Sequence, residues 1–304
     1  MSPGSTDRIT VRGIAARGFH GVLPEEKQAG QRFCADVVLE VDTHRAGESD
    51  DLADTVNYAE VARAANEVLT GPSLDLVETV ANRIAKASLR HTAVEAVEVT
   101  VHKPEAPVGV PFEDVTVHVR RERDVPVVVA LGGNLGRPAR TLADAVTELD
   151  ALDGLDVQQV SALVETDPVG GPEQPDYLNA VVVARTRMAP RHLLRELHAI
   201  EARHGRERIV RWGARTLDLD LVQYGEPATG GDLVLGDPEL TLPHPRAHER
   251  AFVLLPWQEA DPQARLRVGD DVVEVADLAD RVGSEGVRPG PAWPVPWWRA
   301  GASC

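Results

Sequence analysis

Two aspartates separated by a single residue, Asp218 and Asp220, are the strongest candidates for chemistry in this sequence. Between residues 216 and 221 they alternate with leucines, and this period of two predicts a strand with the leucines in the core and both carboxylates on the opposite face. Two carboxylates on one face suit Mg²⁺, which takes oxygen ligands from one or two carboxylates and from substrate phosphates. The alternative is an ordinary half-exposed strand whose wet face carries acidic residues.

A cluster of positive charge precedes the aspartates. Five arginines and one acid, Glu207, lie between residues 203 and 215, a local net charge of +4 in a chain whose formal net charge is -16. Phosphoryl transfer from a metal-nucleotide complex needs carboxylates that hold the metal and guanidinium groups that neutralise the transferring group. A solvated helix end with salt bridges is the alternative, and the nearby aspartate pair makes it the weaker one.

The elements that must position these residues form a second unit, residues 124–282. Its periodicities predict an α+β pattern, with strands at 127–131, 155–164, 178–186 and 216–224 and helices at about 138–152 and 190–204. The sequence Gly132-Gly133-Asn134 lacks the Gly-Lys-Ser/Thr of a phosphate loop, so these glycines predict a tight strand-to-helix turn near the pocket. Residues 283–304 are rich in proline and tryptophan and are expected to form a loosely ordered tail.

Three separated motifs of this unit closely resemble those of 6-hydroxymethyl-7,8-dihydropterin pyrophosphokinases, and the resemblance spans residues 125–280. They are Leu131-Gly132-Gly133-Asn134-Leu135-Gly136, Gln174-Pro175-Asp176-Tyr177-Leu178-Asn179-Ala180 and the segment 211–220, which contains both aspartates. The resemblance implies a ferredoxin-like α+β domain that uses two Mg²⁺ ions. Its implied reaction transfers the pyrophosphoryl group of ATP to the hydroxymethyl oxygen of a pterin.

The same resemblance implies a role for individual residues. Asp218 and Asp220 would be the metal ligands, and Arg206 and Arg215 the catalytic arginines. The implied pterin pocket consists of Thr166, Pro168, Val169, Tyr177, Asn179 and Phe252, and the implied nucleotide contacts are Glu201, Arg211, Trp212, His244 and Arg250. An aromatic slot with an amide suits a flat heterocycle that forms hydrogen bonds.

Four polar residues of the first unit, residues 1–123, are candidates for proton transfer: Glu26, Tyr58, Glu78 and Lys103. Each has a structural alternative, because a glutamate near a helix start favours the helix dipole, a tyrosine can pack in a core, and a lysine at a strand end can be a solvated cation. The chain has only three lysines, and retention of Lys103 among them hints at a need for a tunable amine.

The elements around these four residues follow the order strand, strand, helix, helix, strand, strand. Residues 33–42 alternate as a half-buried strand that residues 9–14 can pair with, and valines alternate at 97–101 and 115–119. Two segments of helical period lie between these strands, on either side of a Gly-Pro-Ser break at 71–73. This order predicts an antiparallel sheet with helices on one face and open edges that other subunits can pair with.

As a set, the candidates of the first unit resemble dihydroneopterin aldolases over residues 8–122. The motifs are Gly18-Phe19-His20-Gly21, Asp54-Thr55-Val56-Asn57-Tyr58, Leu76-Val77-Glu78 and Val101-His102-Lys103-Pro104. The resemblance implies the tunnelling fold and homo-oligomeric rings, commonly stacked as octamers, with sites between subunits. It implies that Glu78 and the backbone near Val77 bind the pterin. Lys103, Tyr58 and Glu26 would manage protons during retro-aldol cleavage, which needs no cofactor because the pterin C=N bond accepts the electrons.

Composition excludes several other classes of protein. The chain has 304 residues, with 48 acidic against 32 basic side chains, so it has no net field that attracts nucleic acid or anionic lipid. Its two cysteines, Cys34 and Cys304, are too few for a disulfide scaffold or a structural zinc site. No segment reaches the ~20 apolar residues of a membrane span, and a cytoplasmic location is expected.

The two resemblances together predict a bifunctional enzyme of folate synthesis, because the pterin product of the aldolase is the substrate of the pyrophosphokinase. Two alternatives remain open for the first unit. It could act as an epimerase or oxygenase on the same pterin, or it could be an inactive oligomerisation scaffold beside an active kinase.

Overall fold

The computed structural model describes residues 7–168, 174–205 and 215–294. The chain divides into two compact units, of which the first comprises Met1–Arg123 with Arg187–Pro190 and the second comprises Asp124–Thr186 with Arg191–Cys304. Among the helices in these described ranges, none is long and apolar enough to cross a membrane.

The first unit is a four-stranded antiparallel sheet with two long helices. Its strands are β1 (Asp7–Gly18), β2 (Gln31–Val41), β3 (Val94–His102) and β4 (Thr116–Glu122), and its helices are α1 (Pro24–Ala29), α2 (His44–Ser49), α3 (Tyr58–Thr70) and α4 (Val77–Ser88). The strands are arranged in the order β1-β2-β3-β4, so β1 and β4 are the edge strands. The predicted order of strands and helices is confirmed, and the short helices α1 and α2 add to it.

The core of the first unit lies between the sheet and its helices. Alternate residues of β2, from Phe33 to Val41, are at most 1% exposed, as the period of two requires. Helix α3 covers them with Val61, Ala65 and Leu69, which are four residues apart and therefore share one face. Asn57 caps this helix, because its side-chain oxygen accepts a hydrogen bond from the amide of Ala59 at 3.1 Å.

The second unit is a six-stranded antiparallel sheet with helices. Its strands are β5 (Val125–Gly133), β6 (Leu155–Val160), β7 (Val164–Thr166), β8 (Tyr177–Thr186), β9 (Asp218–Tyr224) and, in chain order after two hairpins, β14 (Val287–Pro289). The hairpins are β10 (Leu235–Gly236) with β11 (Thr241–Leu242) and β12 (Arg265–Val268) with β13 (Asp271–Glu274). The helices are α5 (Pro138–Asp150), α6 (Pro190–Arg203), α7 (Ala251–Ala260) and α8 (Val275–Val282).

The sheet of the second unit is ordered β14-β7-β8-β5-β9, and β6 also pairs with β8. One face packs Val128, Val181 and Val222 against α7 and α8, where Trp257 is the largest buried side chain. The alternate residues Val127, Val129 and Leu131 are also buried, so the opposite face is covered as well. Helix α5 contacts β5, β6 and β8.

The second unit differs from its prediction in two places. The single strand expected at 155–164 is two strands, because at Ser161 the side-chain hydroxyl, instead of the main-chain carbonyl, accepts the hydrogen bond from the amide of Val181, at 2.9 Å. The expectation of a loosely ordered tail is wrong for its first part, because β14 pairs with β7 at the sheet edge. Residues 295–304 of that tail lie outside the described residues.

Candidate functional site

A pocket in the second unit collects most of the residues singled out there. It opens between β5, β7, β8 and β9 and the start of α7. Its lining consists of Ala130, Leu131, Gly132, Thr166, Asp167, Gln174, Tyr177, Asn179, Arg215, Asp218, Asp220, Arg250, Phe252 and Val253. Eight of the candidates from the sequence are in this set, so candidates up to 86 positions apart in the chain form one site.

The two aspartates lie side by side on the pocket wall. In the ladder between β5 and β9, Asp218 is opposite Gly132 and Asp220 is opposite Ala130, while the intervening Leu219 is 2% exposed. The glycine and the alanine leave space in front of both carboxylates. Burial, followed by repulsion from Asp218, raises the pKa of Asp220 above its ordinary value. A divalent cation between the two groups would relieve that repulsion.

Positive groups surround the aspartates. The Arg215 guanidinium forms an ion pair with Asp218, and Arg250 lies 3.6 Å from Asp220 Oδ2. The Nε2 atom of His244 is 3.9 Å from the same oxygen, and burial lowers the pKa of this imidazole. Among the described residues, no three His, Cys, Asp or Glu side chains cluster as a self-sufficient metal site. Two carboxylates therefore suit a cation that takes its remaining ligands from a phosphorylated substrate and water.

The turn after β5 is held by Asn134, a residue that is 3% exposed. Its Oδ1 accepts a hydrogen bond from the amide of Arg215 at 2.8 Å, and its Nδ2 donates to the carbonyl of Pro175 at 2.9 Å and to Gln174 at 3.2 Å. The preceding Gly133 is required by close packing, because a Cβ there would lie 2.5 Å from the carbonyl oxygen of Thr216. The predicted tight turn is therefore what joins the two walls of the pocket.

An aromatic and amide surface forms the other side of the pocket. The amide of Asn179 donates to Thr166 Oγ1 at 3.0 Å, and the hydroxyl of Tyr177 donates to Gln174 at 3.1 Å. Phe252 lies at the start of α7, and the guanidinium of Arg250 is 5.6 Å from its ring centre. The sequence missed the contribution of Asn134, although its place after two glycines marked the turn.

Several other candidates lie off the pocket or outside the description. Glu201 is 1% exposed, and its Oε1 accepts a hydrogen bond from the amide of Leu219 at 2.7 Å, so it holds β9 from within α6. Pro168 is half-buried beside the pocket but does not line it. The predicted residues Val169, Arg206, Arg211 and Trp212 lie outside the described residues.

The first unit buries an ion pair between two of its candidates. The Lys103 ammonium donates to Glu26 Oε1 at 2.5 Å, and the two residues are 7% and 8% exposed. The other Glu26 oxygen accepts from the amide of Leu23 at 3.1 Å, and Gln31 Nε2 donates to Oε1 at 3.1 Å. Burial raises the pKa of Glu26, but these bonds outweigh it and the pKa falls below its ordinary value.

The surroundings of this pair are tightly packed. The ammonium of Lys103 lies 5.8 Å from the centre of the Phe33 ring. A Cβ at Gly21, whose φ is +147°, would overlap the Glu26 carboxylate. His20 is fully buried, donates from Nε2 to the carbonyl of Leu69 at 2.9 Å, and accepts from the amide of Leu74 at Nδ1, so its role is structural. The result is an acid/base pair shielded from solvent.

The other candidates of the first unit are not bonded to that pair. Tyr58 begins α3 and is 60% exposed, whereas Val77 and Glu78 begin α4, and Glu78 is also exposed. Within the part of the chain that the structure describes, no hydrogen bond links Tyr58 or the Glu78 carboxylate to Lys103 or Glu26. A single copy therefore bonds Lys103 to Glu26 and leaves the Tyr58 and Glu78 side chains outside that pair.

Each unit is similar to a different family of known proteins. Residues 9–120 match the family model described as dihydroneopterin aldolase, and residues 128–262 match that described as 7,8-dihydro-6-hydroxymethylpterin-pyrophosphokinase. The dihydroneopterin aldolase of Streptomyces coelicolor is 53% identical over 117 residues, which cover 38% of this chain and 98% of that protein. The 2-amino-4-hydroxy-6-hydroxymethyldihydropteridine pyrophosphokinase of a Synechocystis species is 39% identical over 164 residues, covering 54% of this chain and 80% of that protein.

A third relative is similar across both units. The folic acid synthesis protein fol1 of Pneumocystis carinii is 27% identical over 265 residues, which cover 82% of this chain and 35% of that protein. The likenesses support the aldolase interpretation of the first unit and give no support to the epimerase, oxygenase or scaffold alternatives.

Proposed function

Because the chain belongs both to the dihydroneopterin aldolase family and to the 7,8-dihydro-6-hydroxymethylpterin-pyrophosphokinase family, we propose that it is a bifunctional enzyme catalysing two consecutive reactions of folate synthesis. The first reaction is a lyase reaction in residues 1–123, and the second is a diphosphotransferase reaction in residues 124–282. The hydroxymethylpterin released by the first reaction is the acceptor in the second. The observation that carries the proposal is that each unit assembles its own chemical group, the buried pair of Lys103 and Glu26 in one and the half-buried aspartate pair of the pocket in the other.

The proposed aldolase reaction cleaves the side chain of 7,8-dihydroneopterin. A base removes the proton from the hydroxyl next to the bond that breaks, glycolaldehyde leaves, and the electron pair moves into the C=N bond of the pterin. Lys103, with Glu26 beside it, moves the protons between the hydroxyl, water and the carbon that must be reprotonated. Their burial keeps the pair dry, which strengthens the interaction of Lys103 with a developing charge.

We further propose that a second copy completes the aldolase site. Tyr58, Val77 and Glu78 would contribute to a site shared between copies, the last two by binding the pterin edge. Both Tyr58 and Leu76 are more than half exposed, and so is Val22 beside the buried pair. Apolar side chains exposed around catalytic candidates favour burial against another subunit. The open strands β1 and β4 offer backbone groups for closing a ring.

The oligomer is tested by measuring the mass of the full chain by light scattering. We expect a mass several times that of the 32.8 kDa chain, and stacked rings would give the mass of an octamer. Glu78→Ala and Lys103→Ala proteins, each inactive as an aldolase, should regain activity when mixed and reassembled, because some shared sites then contain both native residues. A monomer with full aldolase activity would contradict the shared site.

The proposed kinase reaction takes place in the pocket of the second unit. The ring of the pterin would lie against Phe252 and Tyr177, with its polar edge on Asn179 and Thr166. Asp218 and Asp220 would hold two Mg²⁺ ions. When bound, these ions would neutralise the negative charge of the ATP phosphates. Arg215 forms an ion pair with Asp218 and would act as a catalytic arginine. We also propose the predicted roles of four residues outside the described ranges: catalysis for Arg206, nucleotide binding for Arg211 and Trp212, and pterin binding for Val169.

The nucleotide would lie on the side of the pocket where positive groups approach Asp220. Arg250 and His244 both lie within 4 Å of that carboxylate, so they can contact phosphate oxygens that share the metal. For Glu201, the hydrogen bond to Leu219 supports a role in holding β9 and its aspartates in place instead of direct contact with ATP. Few cysteines and a dependence on ATP suit a cytoplasmic location, which we include in the proposal.

The two activities are tested separately with the full chain. Incubation with dihydroneopterin alone should release glycolaldehyde, and Lys103→Ala should abolish that release while AMP still forms from hydroxymethyldihydropterin and ATP. Asp218→Asn should abolish AMP formation while leaving glycolaldehyde release intact. Equal loss of both activities in either variant would indicate misfolding, and absence of glycolaldehyde with the unmodified chain would refute the first half of the proposal.

A further inference from the structure

The chain after α8 returns to the pocket of the second unit as an edge strand. Residues 287–293 are here called the return strand; their first part, β14, pairs antiparallel with β7, with Val287 opposite Thr166 and Pro289 opposite Val164. The amide of Gly290 donates to the carbonyl of Leu163 at 2.8 Å, and the indole of Trp293 donates to the carbonyl of Ser161 at 3.0 Å. These residues lie beyond 262, where the match to the pyrophosphokinase family model ends.

Arg288 is the residue of the return strand that reaches the pocket walls. Its Nη1 donates to Asp167 Oδ1 at 2.7 Å and its Nη2 to Asp176 Oδ2 at 2.7 Å, and Glu165 Oε1 lies 3.9 Å from Nη2. Pairing of β14 with β7 fixes the backbone of Arg288 opposite Glu165. The guanidinium is therefore delivered to the two aspartates by main-chain hydrogen bonds.

The position of these two aspartates in the sheet explains what Arg288 does. The ladder between β7 and β8 ends at the pair Thr166 and Tyr177, both of which line the pocket. Asp167 and Asp176 are the next residue on each strand, so two carboxylates face each other where the ladder stops. Like charges opposite each other push strands apart. Arg288 replaces that repulsion with two charge-assisted hydrogen bonds.

We propose that Arg288 is a positioning residue for the pterin pocket, which it keeps in register by holding Asp167 and Asp176 together. This inference rests on the proposed kinase function. Its effect is transmitted through Thr166 and Tyr177, the pocket residues adjacent to the two aspartates, and through the bond from Asn179 to Thr166. Among the described residues, Arg288 forms ion pairs with Glu165, Asp167 and Asp176 and with none of Asp218, Asp220 and Arg215.

The test is steady-state kinetics of AMP formation by the full chain. Arg288→Ala should raise the KM for the pterin about fivefold, the amount expected for two exposed ion pairs, while the KM for ATP and the kcat change less than twofold. Arg288→Lys should recover part of the loss, because an ammonium can neutralise the two carboxylates without bonding both in the same geometry. Arg265→Ala is the matched control, since Arg265 forms a comparably exposed pair with Glu274 on the hairpin of β12 and β13.

A double variant separates positioning from general damage to the fold. Adding Asp176→Asn to Arg288→Ala removes the repulsion between the two carboxylates, so the pterin KM should return most of the way to that of the unmodified chain. Gly290→Ala displaces the return strand by a different route, because its Cβ would lie 2.7 Å from the carbonyl oxygen of Leu163, and should also raise the pterin KM.

The outcomes distinguish this inference from the function on which it rests. If the unmodified chain forms no AMP, the kinase proposal fails. If it forms AMP and Arg288→Ala leaves the pterin KM unchanged, or if Asp176→Asn brings no recovery, the positioning role is wrong. Aldolase turnover, measured in the same samples, should stay constant throughout because Arg288 belongs to the second unit.

Discussion

Removing the carboxylate of Glu26 should strongly destabilise the first unit. In Glu26→Ala the Lys103 ammonium, 7% exposed in the unmodified chain, loses its ion-pair partner and keeps the Phe33 ring at 5.8 Å. Breaking a buried pair by removing one partner costs about 3–5 kcal/mol, and the cation-π contact is present in both proteins and cancels from the difference. We therefore expect the free energy of unfolding to fall by at least about 3 kcal/mol. With an m-value of roughly 1.5–2 kcal/mol/M, the urea midpoint should fall by about 1.5–2 M.

The chain provides a way to measure this loss in one unit. All five tryptophans lie beyond residue 211, so indole fluorescence reports the second unit, whereas far-ultraviolet circular dichroism reports both. Glu26→Ala should shift the dichroism transition and leave the fluorescence transition in place, at equal protein concentration. Lys27→Ala is the matched control, because the Lys27 and Asp75 side chains form an exposed pair that contributes at most about 1 kcal/mol.

The pH dependence of the same transition tests its electrostatic origin. The folded-state pKa of Glu26 lies below its ordinary value, so its contribution to stability is present above the unfolded-state pKa and is lost as the pH falls through the folded-state pKa. The difference between the unmodified chain and Glu26→Gln should therefore shrink in acid. A dichroism shift of Glu26→Ala no larger than that of Lys27→Ala would refute the reasoning.

Three further outcomes are expected from the two sites. Gly21→Ala should abolish glycolaldehyde release and spare AMP formation, because its Cβ would overlap the Glu26 carboxylate, as measured with each substrate separately. Asn134→Ala should lower kcat/KM for AMP formation by about 5- to 150-fold and spare the aldolase, since it leaves the Arg215 amide unsatisfied at a cost of about 1–3 kcal/mol. Chelation by EDTA should stop AMP formation and leave glycolaldehyde release unchanged; inhibition of both would contradict a metal confined to the kinase site.

The sequence alone predicted the position of a residue correctly where that position follows from the alternation of its own strand. The faces of Asp218 and Leu219 follow from the period of two, and their burial agrees with it. The four-stranded sheet of the first unit follows from its strands and its Gly-Pro break for the same reason. Pairing of Lys103 with Glu26 is different, because it joins positions 77 apart, and only the likeness to a family indicated that they act together.

The sequence could not predict the role of a residue that binds main-chain groups far away in the chain. Asn134 binds the backbone of Arg215 and Pro175, and no local pattern encodes such partners. The return strand was missed because its composition resembles that of a loose tail. At a sheet edge, however, a residue such as Pro289 is tolerated, since its missing N–H need not be bonded. No role for Arg288 was therefore predicted from the sequence.

The most direct test of the bifunctional account measures glycolaldehyde and AMP together when the unmodified chain receives dihydroneopterin and ATP. The account predicts that glycolaldehyde appears first, that AMP follows after a lag and never exceeds glycolaldehyde, and that omitting dihydroneopterin prevents AMP formation. Release of glycolaldehyde with no AMP, or formation of neither product by a folded chain with Mg²⁺ present, would contradict it.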